Sequence, residues 1–170
     1  MNPIDKKRIR IDAIDGRILE LLNERGKNVL EIGKLKERLG TAVFAPNRET
    51  LLLQKISRQS RGPMPTPAVL GVFQEIVHAC RNMQKRLRIA YLGPEATFTH
   101  QAAIKSFGHY ADFVACRSIS DVFNDVEKGR ADYGVVPIEN SNEGVVNHTL
   151  DTFIESDLKI CAEVQLPITH

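Results

Sequence analysis

Arg25 and Lys36 stand in the middle of an apolar stripe on what the residue pattern makes one long helix. At ~100° per residue, their separation brings the second cation to within about 20° of the first around the helix axis. Ile11, Ile14, Ile18, Leu21, Leu22, Val29, Ile32 and Leu39 fall within roughly 60° of that direction, so both charges occupy positions where a core is expected. One such cation at the edge of a stripe commonly snorkels its stem along the core and keeps its head in water. Two in line point instead to carboxylates on another element or to an anionic ligand inside a helical bundle, because an unpaired buried charge costs several kcal/mol. Arg48 and Glu49 at the start of a second helical pattern, and Gln84 on the apolar face of a third, extend the set. Arg8 lies about 100° from Arg25 around the first helix, so it serves such a pocket only across an antiparallel pair of long helices. Three or four cations, one carboxylate and one amide, with no nucleophile and no base oriented by a third group, suit electrostatic rearrangement of a small dianion without a covalent or metal-bound intermediate.

A second candidate set lies in two loops rich in hydroxyl and amide side chains. Gly93-Pro94-Glu95-Ala96-Thr97-Phe98-Thr99-His100 holds Thr97 and Thr99, and Pro137-Ile138-Glu139-Asn140-Ser141-Asn142-Glu143-Gly144 holds Asn140 and Ser141. Both lead into predicted helix N-termini, which favour anions. Turn-forming residues gather in any loop, so this composition alone is weak evidence of a site.

The elements that must position these residues change character near residue 88. Helical spacing runs over 4–39 and stops at Gly40, giving a first helix of roughly 50 Å. A second helix is expected from Pro46 to about Ser60, and a third with Thr66 as cap, Pro67 in first position and an end near Leu87. Three helices of such unequal length cannot close a core around the first, and a homodimer through the paired first helices covers its far half. Gly26 and Gly33 on one flank are either tolerated substitutions or places of close approach between the paired helices. Beyond Arg88 the texture alternates: strands over 88–92, 112–116, 133–137 and 158–166, helices over 98–107, 119–128 and 145–155. Ser118 and Asp121 form a capping box for the middle helix. Such βαβ units build a mostly parallel sheet with ligand loops at the carboxyl ends of its strands. About 80 residues of α/β material are few for a domain of this type, and that part reads as incomplete.

Composition narrows the classes. A net charge of +2 gives no sign of nucleic acid, and the charge-interrupted apolar runs contain no membrane span or signal peptide, which implies a cytoplasmic protein. Cys80, Cys116 and Cys161 have no CxxC or Cys/His spacing, so neither a disulfide framework nor a zinc site is expected.

Over residues 4–87, Arg8, Arg25, the Gly33-Lys34-Leu35-Lys36 segment, Arg48-Glu49 and Gln84 together resemble the all-helical class of chorismate mutase. The resemblance implies an entwined dimer of three-helix chains in which each site borrows one arginine. Arg25 and the partner's Arg8 would hold the substrate carboxylates, Lys36 and Gln84 would contact the ether oxygen, Arg48 would help bind the ring-side carboxylate region, and Glu49 would accept from the ring hydroxyl. Cys80 matches a position that is often serine, and Ala45 stands where some members carry aspartate.

The remaining segment resembles the beginning of prephenate dehydratase. Tyr91-Leu92-Gly93-Pro94-Glu95-Ala96-Thr97-Phe98-Thr99-His100-Gln101-Ala102-Ala103, Gly134-Val135-Val136-Pro137-Ile138-Glu139-Asn140-Ser141 and Leu166-Pro167-Ile168-Thr169-His170 carry the likeness. Glycine is common where Ala96 stands and serine where Thr99 stands. The implied architecture is multidomain: an all-α three-helix mutase domain over 1–87, then a partial α/β, periplasmic-binding-protein-like dehydratase domain over 88–170. The implied activity is conversion of chorismate to prephenate, from a bifunctional chorismate mutase and prephenate dehydratase of phenylalanine biosynthesis. No cofactor or metal is implied, and no conversion of prephenate is expected from this length of dehydratase, although Thr97, Thr99, Asn140 and Ser141 are its candidate contacts. The competing expectation is a non-catalytic helical dimerisation module joined to a small-anion-binding α/β domain. Cations at Arg25 and Lys36 weigh against it, since an interaction helix gains nothing from charge at its core positions.

Overall fold

The computed structural model describes residues 2–140 and 144–167. Its elements are α1 (Pro3–Leu39), α2 (Pro46–Gln59), α3 (Thr66–Gln84), β1 (Arg88–Leu92), α4 (Phe98–Phe107), β2 (Asp112–Cys116), α5 (Ile119–Glu127), β3 (Tyr133–Val135), β4 (Glu139–Asn140), β5 (Gly144–Val145) and α6 (Asn147–Glu155). A helical region therefore precedes an α/β region, as the spacing predicts.

α1 begins where Asn2 Oδ1 accepts from Ile4 N at 3.1 Å, with Pro3 in the first helical position. It ends at Gly40, whose φ of 62° only glycine adopts without cost. Gly40 N donates to Glu37 O and Thr41 N to Lys36 O, the two bonds of a Schellman closure. Along this helix of about 55 Å, Gly26 is the buried residue. Ile11, Ile14, Ile18 and Leu21 of the apolar stripe are exposed.

α1 packs on α3 around Gly26 and Gly33, and α2 packs on α3 as well. Close approach does occur at the two glycines, but toward α3 of the same chain. A Cβ at Gly26 would lie 3.2 Å from Met83 Cε, and one at Gly33 would lie 3.0 Å from Gln84 Cγ. The third helix differs at both ends from expectation. Pro65 is its cap, Thr66 is its first helical residue, and the Thr66 hydroxyl faces Ser60 Oγ at 3.4 Å. It stops at Gln84 because Lys85 turns extended and Leu87 enters the core of the sheet.

β1 is the centre of a three-stranded parallel sheet of order β2-β1-β3, with Ile89 opposite Phe113 and Tyr133. Strand alternation divides its side chains between two faces. Ile89 and Tyr91 join Leu87, Ala103, Phe107 and Ala111 on the α4 side, while Ala90 joins Cys116, Val122 and Ala131 on the α5 side. Gly134 lets α5 settle there, since a Cβ would meet Val122 Cγ1 at 2.8 Å. The Ser118–Asp121 capping box starts α5.

Two strand boundaries depart from the residue pattern. β3 ends at Val135, after which Pro137 O accepts from Thr149 Oγ1 at 2.7 Å. The segment 158–166 is no strand: it follows no ladder and is fastened to α4 by Lys105 Nζ, which donates to Gln165 O at 2.8 Å. Apolar content suggests a strand, but a ladder requires a paired edge as well. The predicted helix over 145–155 starts later, at Asn147, because Gly144 and Val145 pair with β4 as β5.

The helical and α/β regions share a core. Phe44, from the loop between α1 and α2, is buried against Phe107 at 4.9 Å and Tyr133 at 5.3 Å between ring centroids.

Candidate active site

Lys36 owes its position to the closure of α1. The chain reverses at Gly40, and Lys36 Nζ donates to Val43 O at 2.9 Å. That carbonyl is fixed by its neighbour Phe44, which is anchored under the sheet. Arg25, three turns earlier, is half-buried, and its Nη1 is fully enclosed without a hydrogen-bond partner. Gln84, on the last turn of α3, likewise encloses Oε1 without a partner. Buried polar atoms of this kind cost about 1–3 kcal/mol each when left unpaired, so a polar ligand or a water seated on the α1–α3 seam recovers that energy. Cys80, one turn before Gln84, is buried and free. Arg48 is exposed in the first turn of α2.

Glu49 lies beside Arg48 in that turn, where the helix dipole favours a carboxylate. Its two oxygens accept from Arg81 Nη1 at 2.9 and 3.1 Å. Burial pushes its carboxyl above the ordinary carboxylate value, while the charges of Arg81 and then Lys36 pull it back. Arg81 is 3% exposed, and burial lowers its guanidinium pKa against the raising effect of Glu49. Its other arm, Nη2, donates to Ser106 O at 2.9 Å, and its plane lies over the rings of Phe44 and Phe107.

Two clefts open beside Gln84 and Glu49. The larger, about 720 Å³, runs along the α1–α3 seam and is lined by Gly33, Lys34, Glu37 and Gln84 with Asp132 and Tyr133 from the sheet. The smaller, about 340 Å³, holds Glu49 with Leu53, His78, Lys105 and Ser106. Of the expected site residues, Gln84 lines the larger cleft and Glu49 the smaller, while Arg25, Lys36, Arg48 and Cys80 line neither. The Lys36 charge reaches Glu49, which is turned toward Arg81. Arg8 lies apart from both clefts. Its side chain is 73% exposed, paired loosely with Asp5 at 3.7 Å, and the seventeen-residue rise to Arg25 is about 25 Å.

On the α/β side, the candidate loops follow β1 and β3, which are neighbours in the sheet. Chain reversal of the crossover direction at this pair makes the crevice beyond their carboxyl ends the expected ligand position. Thr97 is occupied structurally: its Oγ1 donates to Pro94 O at 3.0 Å and accepts from His100 N at 3.3 Å as the cap of α4. Thr99 is half-buried in the first turn of that helix. Asn140 pairs through its backbone with Gly144, and Ser141 lies outside the described residues.

Residues 7–85 match the family model of chorismate mutase type II, and residues 89–170 match that of prephenate dehydratase. The chain carries a chorismate mutase type II domain followed by part of a prephenate dehydratase domain. A bifunctional chorismate mutase/prephenate dehydratase of Aquifex aeolicus (strain VF5) is 47% identical over 173 residues, covering 99% of this chain and 48% of the relative. One of Neisseria gonorrhoeae is 48% identical over 161 residues, covering 94% of this chain and 44% of the relative. The chain spans about half the length of the curated relatives it matches. A solved chorismate mutase from Thermus thermophilus (Form II) is 34% identical, with a TM-score of 0.49 over 50% of this chain and 97% of that one.

Within the mutase region, Arg81 is the residue the pattern did not single out. It follows Cys80 directly, beside the Val77, Cys80 and Gln84 face. The signal for it was indirect: Phe44, an aromatic alone in a loop, implies a buried contact between loop and body. Within the dehydratase region, Ala96 has φ 64°, the left-handed conformation that glycine takes most cheaply. Among the described residues no helix is long and apolar enough to cross a membrane, and no group of three His, Cys, Asp or Glu side chains could hold a metal ion.

Proposed function

We propose that residues 1–87 form a chorismate mutase domain that converts chorismate to prephenate, within a bifunctional chorismate mutase/prephenate dehydratase of phenylalanine biosynthesis. The observation that carries this reading is the pair of enclosed, unpartnered polar atoms, Arg25 Nη1 and Gln84 Oε1, on the seam of a region matching the mutase family. The rearrangement is intramolecular: a carbon–oxygen bond breaks as a carbon–carbon bond forms, and no proton changes hands. What a protein contributes is therefore a compressed, oriented substrate and donors aimed at the ether oxygen as it gains negative charge. Arg25 binds a carboxylate, Lys36 exchanges Val43 O for the ether oxygen, and the Gln84 amide presents Nε2 to it after a half-turn. Arg48 holds the ring-side carboxylate region, Glu49 accepts from the ring hydroxyl, and Cys80 lines the pocket where a serine would donate.

The domain works as a homodimer through α1. The exposed Ile11, Ile14, Ile18 and Leu21 supply an apolar face, and the distance from Arg8 to its own Arg25 requires Arg8 to act in the other protomer's site. Residues 88–170 form part of the dehydratase domain, where Thr99, Asn140 and Ser141 are the candidate contacts for prephenate and Thr97 shapes their loop.

Loss of chorismate absorbance with the purified chain tests the reading. Lys36→Ala is expected to lower turnover at least 100-fold, consistent with roughly 3 kcal/mol for one transition-state donor, while its melting temperature stays within a few degrees of the wild type. A wild-type chain that leaves chorismate at its uncatalysed rate would overturn the proposal.

A further inference from the structure

We propose that Arg81 is a positioning residue of the mutase pocket, holding Glu49 from one arm while its other arm is fastened to the last turn of α4. The inference rests on the mutase reading above and adds to it a residue and a dependence that the reading does not contain. Arg81 is almost wholly enclosed, yet it is aimed at no ligand space of its own. Nη1 reaches both oxygens of Glu49, Nη2 reaches Ser106 O, and the guanidinium lies over the adjoining rings of Phe44 and Phe107. Such a fork has a fixed geometry, so the place of α4 sets the place of the Glu49 carboxylate. Phe44 extends the same control to Lys36, because Lys36 Nζ is held by the carbonyl immediately before it. The packing of the dehydratase region therefore reaches two groups of the mutase pocket through one buried arginine and one loop phenylalanine.

The charge of Glu49 is the readable consequence. It faces Arg81 and His78 from α3, Lys36 from α1, Lys105 from α4 and Glu163 from the segment beyond α6. Among the described residues only Arg81 bonds it directly. Arg81 opposes the burial that raises the Glu49 carboxyl and holds its oxygens where they can accept from the ring hydroxyl of the substrate. Without it, burial favours the neutral acid.

The experiment is a double-mutant cycle on chorismate turnover with the full 170-residue chain. Arg81→Met removes the charge, and Arg81→Lys keeps a charge without the second arm. Each is expected to lower kcat/KM at least tenfold at pH 7.5. Glu49→Gln is expected to lower it in the wild type but by less than a third of that factor in either Arg81 variant. The acidic limb of the kcat/KM profile is expected to move to higher pH in Arg81→Met and to vanish in Glu49→Gln. If Arg81→Met does not fold, Arg81→Lys carries the cycle and the profile. Additive effects of Arg81 and Glu49 with an unmoved acidic limb, in a wild-type chain that consumes chorismate, would overturn this inference alone. A wild-type chain without turnover overturns the mutase reading, and a silent Glu49→Gln overturns the role of Glu49 that Arg81 is said to serve.

Discussion

Gln84 rests on Gly33: its Cγ and Cβ lie 3.0 and 3.1 Å from the point a Cβ on Gly33 would occupy. The amide proposed to meet the ether oxygen is therefore seated by the absence of a side chain on the neighbouring helix. Gly33→Ala separates seating from stability. Alanine gains roughly 1 kcal/mol of helix propensity over glycine, which offsets the few tenths of an ångström by which Gln84 must yield. We expect unfolding free energy to change by no more than about 1 kcal/mol and chorismate turnover to fall about tenfold or more, through kcat. Denaturant melts beside steady-state kinetics give both numbers. Unchanged kcat would detach Gln84 from the chemistry.

His78 gives a pH dependence with a definite sign. Burial, followed by the Arg81 charge, holds its imidazole below the ordinary value of 6.5, against the pull of Glu75. The unfolded chain takes up a proton near that value while the folded chain does not, so stability from the neutral ring is present above it and lost as pH falls through it. Glu49 acts in the opposite sense: its raised carboxyl stabilises below its ordinary value and loses that contribution as pH rises. The variant His78→Gln isolates the first effect. Between pH 7.5 and pH 5.5 the wild type should lose more unfolding free energy than His78→Gln. Parallel losses in urea titrations at the two pH values would mean that His78 takes up its proton alike in the folded and the unfolded chain.

Much of this was legible in the residues, and the failures share one cause. α1, α4, β1 and β2 follow periodicity and caps that are local, and Gly40 and the Ser118–Asp121 box stop and start helices where their chemistry requires. The segment 158–166 has the apolar content of a strand, but a strand is a relation with a neighbour that no single stretch contains. Arg81 likewise has no meaning on α3 alone; its partners come from α2, α4 and the loop at Phe44. The paired cations Arg25 and Lys36 were readable because both lie on one helix, while the bond from Lys36 to Val43 O was not.

Ala96 stores a small, removable strain. Its φ of 64° places an L side chain in the left-handed region, at roughly 1–2 kcal/mol, while its N–H donates to His100 Nδ1 at 3.0 Å and so holds the loop in that shape. His100 is itself stacked on Tyr91 at 4.6 Å, which keeps the acceptor in place. Glycine removes the steric cost and adds about 0.5–1 kcal/mol of unfolded-state entropy. The net expectation for Ala96→Gly is a gain of about 0.5–1 kcal/mol, read as a higher urea midpoint with an unchanged slope. A lower midpoint would show that the side chain itself contributes packing at this exposed turn.

Arg8 and Arg25 provide the sharpest test of a site shared between chains. They are separated by about 25 Å of straight helix, and Arg8 projects from a half of α1 whose apolar stripe is uncovered within the chain. Each single variant, Arg8→Ala or Arg25→Ala, should be nearly inactive, since every site of a homodimer then lacks one carboxylate contact. Mixing the two unfolded variants and refolding them together yields mixed dimers. In such a dimer one site combines both substitutions, while the other combines an intact Arg25 with the partner's Arg8, also intact. Random pairing makes half of the dimers mixed, and one site in two within them is whole, so about a quarter of wild-type activity should return. Separate refolding followed by mixing should return activity only as fast as the dimers exchange. Mass spectrometry that finds mixed dimers without any recovery would place Arg8 in its own chain's site, which the length of α1 forbids unless the helix breaks.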